Sequence, residues 1–422
     1  MAKQINQTMA FYAMTSLFFI WGFITALNDI LIPFLKAEFS LSYTQAMLVQ
    51  FCFFGAYFLV SPLAGRVVAK FGYRNGVFIG LSTLALGCLL FIPAASIKEY
   101  ALFLAALFVL AGGITVLQVS ANPYVNCLGE EKHAASRLNL AQAINSLGHT
   151  AGPLFGTYFI LSATSQNAGA EQVQLPYFLI ALAAITIACS FKFIELPKLD
   201  FEEQTSAQAK ESIWQHKHLV LGALGIFLYV GAEVSIGGFL VNYFESPEIG
   251  GLTTAQAGHM VAYYWGGAMI GRFIGSALMR QFSPSYVLAF NAIMAVVLLI
   301  ITVFSSGKIA MWSVLAVGFF NSIMFPTIFS LAIRGLGQLT AKGSGLLCQA
   351  IVGGAVFPLI QAVVADAFSV QLSFLVPVFA YLYIVFFAII QHRCRAHKEL
   401  PSLSMAAFTV KRLWIFYKLI TN

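Results

Sequence analysis

Three ionisable residues lie inside long apolar runs of the chain. Asp29 stands in the sequence LNDIL, Glu233 ends the sequence YVGAE, and Arg272 follows a glycine. A charged side chain at the centre of a bilayer costs about 3 kcal/mol or more, so each is a candidate functional group. Such a carboxylate carries a proton, ligates a cation, or is a structural group held by neighbouring polar side chains. For Arg272 we expect a structural ion pair or a side chain that reaches toward the membrane surface.

The two carboxylates are the candidate cation-coupling residues. Asp29 and Glu233 lie in apolar runs near the start of each half of the chain, so both can face one central cavity. Two neighbouring carboxylates raise the pKa of one of them, or they bind a cation between them. If that cation is Na⁺, Asp29 and Glu233 are also the candidate metal ligands.

Amides and aromatic rings form a second set of candidates within the apolar runs. An amide offers both a hydrogen-bond donor and an acceptor, which suits the hydroxyls of a sugar, and a ring can stack on the sugar's apolar face. A single amide can equally be a tie between helices, and a single ring can be packing. As a set they predict a polar, mostly uncharged cavity for a neutral hydroxylated solute. The candidate substrate-binding residues are Asn28, Gln118, Asn122, Gln142, Asn145, Gln349 and Trp265.

Composition places the chain in a membrane. It is 59% hydrophobic and only 9% charged, whereas soluble domains carry about 25% charged residues. The net charge of +7 does not indicate nucleic-acid binding, because the basic residues stand in short loops and form no basic face. No GxxxxGK[ST] loop for ATP occurs, and scattered histidines without an HExxH or GxSxG motif argue against an enzyme. The six cysteines include no CxxC pair and indicate neither disulfides nor a metal site.

Twelve apolar segments are long enough to cross a bilayer, which takes about 20 residues. We number them spans 1 to 12, at 9–35, 45–69, 76–95, 100–127, 138–162, 174–194, 218–244, 255–280, 285–304, 308–333, 344–368 and 373–392. The sequence therefore predicts an all-α membrane protein of two six-helix bundles. The predicted domains are an N-terminal bundle (1–194), a cytoplasmic linker (195–217), a C-terminal bundle (218–392) and a cytoplasmic tail (393–422). The tail either lies on the inner membrane surface as an amphipathic helix or is dispensable.

Loop charges predict the orientation. With the N-terminus inside, the cytoplasmic loops, linker and tails carry 19 of the 23 lysines and arginines. The opposite side carries three, and Arg272 lies within span 8. Because basic loops stay in the cytoplasm, we expect both termini there, in a bacterial-type inner membrane.

The two halves of the sequence repeat each other. Thr44-Gln45-Ala46 begins span 2 and Ala255-Gln256-Ala257 begins span 8. Both spans end in a glycine with a basic residue five positions later, Gly65 with Lys70 and Gly275 with Arg280. Gln142-Ala-Ile in span 5 recurs in span 11, and Asn122-Pro123 in span 4 corresponds to Phe325-Pro326 in span 10. Two similar halves around a central cavity are typical of a transporter that binds its substrate near the membrane midplane.

The loop between spans 2 and 3 is a candidate gate. It reads GRVVAKFGYR, with Gly65, Arg66, Lys70, Gly72 and Arg74 as the candidate gating residues. A tight basic turn can lock the halves together by pairing with helix ends. The alternative is a plain positively charged cytoplasmic loop.

This loop resembles the signature of the major facilitator superfamily, although it lacks the usual aspartate. Within that superfamily the chain resembles the fucose-proton symporter and glucose/galactose transporter family over residues 10–392. The resemblance is carried by segments in spans 1, 4, 5 and 10: Trp21–Phe23, Asn28–Pro33, Ser120–Pro123, Leu138–Gln142 with Asn145-Ser146, and Phe325–Leu331.

The resemblance implies roles residue by residue. Asp29 matches an aspartate used in proton coupling and sugar binding in the fucose branch, whereas Gln118 stands where that branch has a glutamate. Glu233 and span 8 look like the glucose/galactose branch. This implies hexose uptake by symport with Na⁺ or H⁺, with fucose or N-acetylglucosamine as the alternative substrates. No other cofactor, no ATP and no nucleic acid is expected, and the protein is expected to be a monomer whose partners are the hexose and the bilayer. A sugar sensor without transport is the remaining alternative.

Overall fold

The computed structural model describes residues 2–41, 43–156, 169–191, 196–197 and 212–399. This part of the chain is almost entirely helical and contains no strand. Most of the predicted linker and the tail beyond residue 399 lie outside the described residues. The side chains of Asn28 and Asp29 also lie outside them, although both residues belong to the first helix.

Among its described residues, the first half contains five long helices, which run Ala2–Glu38, Tyr43–Ile97, Tyr100–Cys127, Ala134–Gly156 and Gln174–Phe191. The second holds spans 2 and 3 together, and at 1.5 Å per residue its 55 residues would extend far beyond the roughly 30 Å of a bilayer core. A break at Gly72 divides it, with φ 80° and ψ 166°. Only glycine adopts this conformation without strain, so Gly72 turns the chain between the two spans.

The second half contains spans 7 to 12. Its helices run Lys217–Glu245, Thr254–Leu278, Pro284–Phe304, Gly307–Asn321, Met324–Ala332, Thr340–Gln349, Gly353–Ala367, Val370–Ser373 and Leu375–Glu399. Span 10 was predicted as one helix but is interrupted after Asn321, and span 11 is interrupted by the 3₁₀ turn Ala350–Val352. Span 8 begins with a capping box, in which Thr253 and Gln256 each bond the other's backbone N–H.

Two of the predicted spans are less hydrophobic than the others. Among the described residues, nine helical segments are long and apolar enough to cross a membrane, and one of them, Leu48–Ile97, holds two spans. The two predicted spans that are not among these segments are spans 5 and 8. They complete the predicted twelve. Their polar residues must face the interior of the protein, because unpaired polar groups in lipid are costly.

Lipid and glycine contacts explain how the bundles pack. Large apolar side chains cover the outer surface, such as Phe304 and Phe379, which are 77% and 73% exposed. Inside, small residues let helices approach closely. A Cβ atom added to Gly148 of span 5 would lie 2.8 Å from the backbone nitrogen of Phe23 in span 1. A larger residue at position 148 would force these two spans apart.

The two halves of the molecule meet at one end, which carries the loops at 66–74, 128–137 and 334–342 and which we call the basic end. There Ser136 and Ser276 each donate a hydrogen bond to the other's carbonyl, joining spans 5 and 8. Spans 2 and 11 meet at two glycines, since a Cβ on Gly65 would lie 3.4 Å from the Cα of Gly345. The contact between spans 5 and 8 and the contact between spans 2 and 11 are equivalent in the sequence repeat. Gly65 and Ser276 lie 211 positions apart, as do the starts of spans 2 and 8.

The halves separate toward the other end. Ser276 and Trp265 lie on the same face of span 8, eleven residues or three turns apart. Ser276 is 4% exposed, whereas Trp265 is 44% exposed. Two further turns along this face, a Cβ on Gly258 would meet no atom within 4 Å. This conformation is therefore closed at the basic end and open along this face toward the opposite end.

Candidate functional site

Glu233 and Arg272 form an ion pair inside the second half. Glu233 Oε1 lies 3.7 Å from an Nη atom of Arg272, and the side chains are 14% and 13% exposed. Glu233 is thus the ion-pair partner that was expected for this arginine. At 3.7 Å the two atoms attract as opposite charges but are too far apart for a good hydrogen bond.

Arg272 uses its hydrogen bonds elsewhere, on both halves of the molecule. Its Nε donates to the carbonyl of Ser322 at 3.1 Å. Its Nη1 donates to the hydroxyl of Ser146 and, at 3.4 Å, to the carbonyl of Gln142, both in span 5. One guanidinium thus connects span 8 with span 10 of its own half and with span 5 of the other half.

Proline explains why the Ser322 carbonyl is available. In an α-helix this carbonyl would accept from the N–H of residue 326, which is a proline and has none. The equivalent proline in span 4 has the same effect, because Pro123 leaves the carbonyl of Val119 without its helical donor. That carbonyl accepts from Ser344 of span 11 at 3.0 Å. The repeated proline therefore frees one acceptor in each half for a neighbouring helix.

Tyrosines and a histidine surround the ion pair. Tyr229, Tyr264 and Tyr381, all fully buried, lie close enough to Glu233 to interact with it electrostatically. His149 of span 5 faces Arg272 from the other half. In the sequence this histidine is one of several scattered histidines and was not a candidate. Its position four residues after Asn145 and seven after Gln142, on the same helical face, is the sequence signal that could have identified it.

An amide and a tyrosine form a hydrogen bond in each half. Gln118 Nε2 donates to the Tyr57 hydroxyl at 2.8 Å, joining spans 4 and 2. Asn321 Nδ2 donates to the Tyr264 hydroxyl at 2.7 Å, joining spans 10 and 8. Gln118 and Asn321 are related by the same 203 positions as Pro123 and Pro326. In the first pair the Gln118 carbonyl oxygen and the Tyr57 O–H remain as groups that can contact a substrate.

The other predicted substrate residues whose side chains the structure describes divide into three groups. Asn145 and Gln349 tie helices in this conformation, since Asn145 donates to the Phe18 carbonyl at 2.8 Å and Gln349 to the Phe58 carbonyl at 3.2 Å. This is the alternative that the sequence left open for any single amide. Asn122 is fully buried and Gln142 is 6% exposed. Trp265 has a large exposed surface on the open face and packs beside Gly237.

The candidate gating residues lie in different surroundings. Gly65 lies in the seam between the halves, where a Cβ would also come within 3.1 Å of the Ala341 carbonyl. Arg74 bonds the carbonyl of Phe191 at the end of the span 6 helix, at 3.1 Å, which is a helix end of its own half. Arg66 is exposed, and Lys70 Nζ lies 5.2 Å from the centre of the Phe71 ring. Of these five residues, Gly65 is therefore the one for which the structure gives a close approach to the other half.

Two features of the described residues bear on ligands. A cavity of about 340 Å³ at the basic end is lined by Phe11, His133, Ser136, Arg137, Leu140 and Arg280, and none of the predicted substrate residues lines it. Among the described residues, no group of three or more His, Cys, Asp or Glu side chains is arranged to hold a metal ion. The side chain of Asp29 is not among them.

Comparisons with known proteins all find similarity to transporters. The family model of the Major Facilitator Superfamily matches residues 10–348. A "Glucose/galactose transporter" of Brucella abortus is 58% identical over 92% of this chain and 95% of its own length. The "L-fucose-proton symporter" of Escherichia coli is 34% identical over 90% of this chain and 92% of its own. The crystal structure of FucP in the outward conformation superposes with a TM-score of 0.84, at 33% identity, over 92% of this chain and 99% of that one.

Proposed function

The chain belongs to the major facilitator superfamily, and on this premise we propose that it imports a hexose of the glucose/galactose type by symport with a cation. As a member of a transporter family it is not an enzyme. The observation that carries the proposal is the buried Glu233, a titratable carboxylate whose counter-ion, Arg272, also contacts the other half. A cation arriving at this carboxylate changes the contact between the halves, which is what coupled transport requires.

The substrate class rests on the relatives and on the uncharged cavity residues. The relative at 58% identity is named for glucose and galactose, and the one at 34% for fucose. An amide at position 118 offers a donor and an acceptor to sugar hydroxyls without a charge. Trp265, exposed on the open face, supports the proposal because its indole ring can stack on a sugar ring. Fucose is the second candidate, because a fucose symporter also matches over most of the chain, and N-acetylglucosamine is a further alternative.

We propose H⁺ as the coupling ion at Glu233. A bound metal cation needs several oxygen ligands around it, and the guanidinium of Arg272 lies 3.7 Å from the carboxylate that would supply one. A proton needs only one carboxylate oxygen and removes the charge that the arginine opposes. Asp29, which the family resemblance implies as a second coupling residue, belongs to the same proposal.

The closed basic end indicates to which side of the membrane this conformation opens. Basic loops stay in the cytoplasm, so we assign the basic end and both termini to the cytoplasmic side of a bacterial inner membrane. The described conformation then opens outward, ready to receive sugar and a proton. Transport proceeds when the outer side closes around the sugar and the basic end opens.

Tyr57→Phe tests the orientation of Gln118. Without the phenolic oxygen the amide of Gln118 loses its acceptor and can turn away from the sugar. A hydrogen bond of this kind contributes about 0.5–1.5 kcal/mol, so we expect a roughly 2- to 12-fold weaker apparent affinity in sugar exchange, with the coupling ion unchanged. Tyr263→Phe is the matched control, because Tyr263 is 58% exposed on the outer surface. An unchanged affinity in Tyr57→Phe would remove this pair from the site.

Counterflow in proteoliposomes tests the substrate. Vesicles loaded with unlabelled glucose should transiently concentrate external radiolabelled glucose, and external galactose should compete more strongly than fucose or N-acetylglucosamine. Counterflow needs a carrier and no ion gradient, so it also separates a transporter from a sensor that only binds. Counterflow with fucose but not with glucose would replace the hexose assignment by the second candidate.

A further inference from the structure

We infer that Arg272 is a positioning residue that latches the basic end closed through span 5, and that neutralising Glu233 releases it. Only the identity of the releasing ion rests on the proposed function. The latch itself follows from the contacts of one side chain. It assigns Ser146 and Gln142 of span 5 a part in the cycle, as the acceptors that hold the guanidinium across the seam.

The Arg272 guanidinium lies at the contact between the two halves, near the closed basic end. Spans 5 and 8 belong to different halves and meet at the basic end, where Ser136 and Ser276 bond each other. One turn farther into the membrane, Arg272 donates to the Ser146 hydroxyl and the Gln142 carbonyl across the same seam. If the basic end opens, these two bonds must break together with the serine pair.

Charge balance makes the latch depend on Glu233. Among the described residues, Glu233 is the carboxylate within ion-pair distance of Arg272. The other described titratable groups that face the pair are His149 from span 5, Tyr229 from span 7, Tyr264 from span 8 and Tyr381 from span 12. None of these carries negative charge near neutral pH. Among the described residues, neutral Glu233 therefore leaves the buried guanidinium with no carboxylate to balance its charge, which favours states in which the guanidinium reaches water.

Only one of the two equivalent seams carries this charge. The position in span 2 that corresponds to Arg272, 211 residues earlier, is Ser61. Its carbonyl lies 2.8 Å from where a Cβ of Gly345 would be, so spans 2 and 11 meet there by close packing of uncharged groups. A change of charge at Glu233 consequently acts on the seam between spans 5 and 8 and not directly on the other one.

Distance measurements between spin labels test the latch without any substrate. Labels are attached to cysteines at Lys132 and Gln281, which are exposed on the loops before span 5 and after span 8, in a full-length protein whose native cysteines are replaced. Arg272→Gln and Glu233→Gln should each increase the population with the longer label distance. The loss of a charge-assisted hydrogen bond predicts an increase of about tenfold or more. The double variant should equal the single ones, because both break the same latch.

Ser146→Ala keeps the test decisive if an arginine variant does not fold. It removes one acceptor across the seam and leaves the Glu233–Arg272 pair intact, so the longer distance should again gain population. The matched control is Thr150→Ala, one turn along span 5, whose hydroxyl bonds the Ser146 carbonyl within the same helix. Unchanged distances in Ser146→Ala, or additive effects in the double variant, would overturn the latch. Failure of glucose transport with these distance shifts intact would instead refute the proposed substrate.

Discussion

Glu233→Gln is expected to abolish gradient-driven sugar accumulation while sugar exchange continues. Glutamine keeps the size and hydrogen-bonding capacity of the side chain but cannot take up and release a proton. Exchange moves sugar in both directions without requiring that the ion be released, so it survives. Accumulation should fall to the level of equilibration across the membrane. Radiolabelled sugar uptake and counterflow, measured on the same proteoliposomes, give both quantities.

The control for this substitution is Glu248→Gln. It makes the same chemical change at an exposed residue just beyond the end of span 7. Its accumulation should match that of the unaltered protein. Full accumulation by Glu233→Gln would contradict the assignment of the coupling site. Loss of both accumulation and exchange would indicate instead that Glu233 is needed for the structure of the sugar site.

Gly65→Val is expected to prevent closure of the basic end and thereby stop accumulation. A Cβ at this position already lies 3.1 Å from the Ala341 carbonyl and 3.4 Å from the Cα of Gly345, and valine adds two methyl groups. Overpacking costs about 1–3 kcal/mol, which shifts the equilibrium between closed and open basic ends by about 5- to 150-fold. Ser344 of span 11 is fully buried beside this seam, so a cysteine introduced by Ser344→Cys measures the shift through its reaction rate with a water-soluble thiol reagent.

Gly55→Val is the matched control for this experiment. Gly55 lies in the same helix, and a Cβ there would meet no atom within 4 Å. Both variants replace a glycine in span 2 by the same β-branched residue, so any difference between them comes from packing against the other half. Equal labelling rates in the two variants would mean that the glycine seam does not determine closure.

The architecture followed from the sequence because membrane spans depend on local properties. A run of about 20 apolar residues specifies a span wherever it stands, and even spans 5 and 8, which are the most polar, were identified. The interruptions in spans 10 and 11 were not predicted. In span 10 the interruption stands next to the Ser322 carbonyl, which Pro326 leaves without its helical donor and which accepts from Arg272 instead. The proline was visible in the sequence, but its partner was not.

The site was predictable in its residue types and not in its pairing. Glu233 and Arg272 were selected because ionisable groups in apolar runs are rare, yet their contact joins residues of different spans. The amides show the same limit. Gln118 and Asn145 look alike in sequence, but one bonds a tyrosine hydroxyl and the other a backbone carbonyl of span 1. Which amide ties helices depends on what the adjacent span presents, and helical periodicity within one segment does not contain that information.

The most direct test of the central claim is uptake of radiolabelled glucose into proteoliposomes under an imposed pH gradient and, separately, an imposed Na⁺ gradient. Proton coupling at Glu233 predicts accumulation above the external concentration when the outside is acidic. It predicts only equilibration with Na⁺ at equal pH. Accumulation driven by Na⁺ alone would contradict proton coupling at Glu233, and no uptake in either gradient together with absent glucose exchange would contradict the hexose assignment.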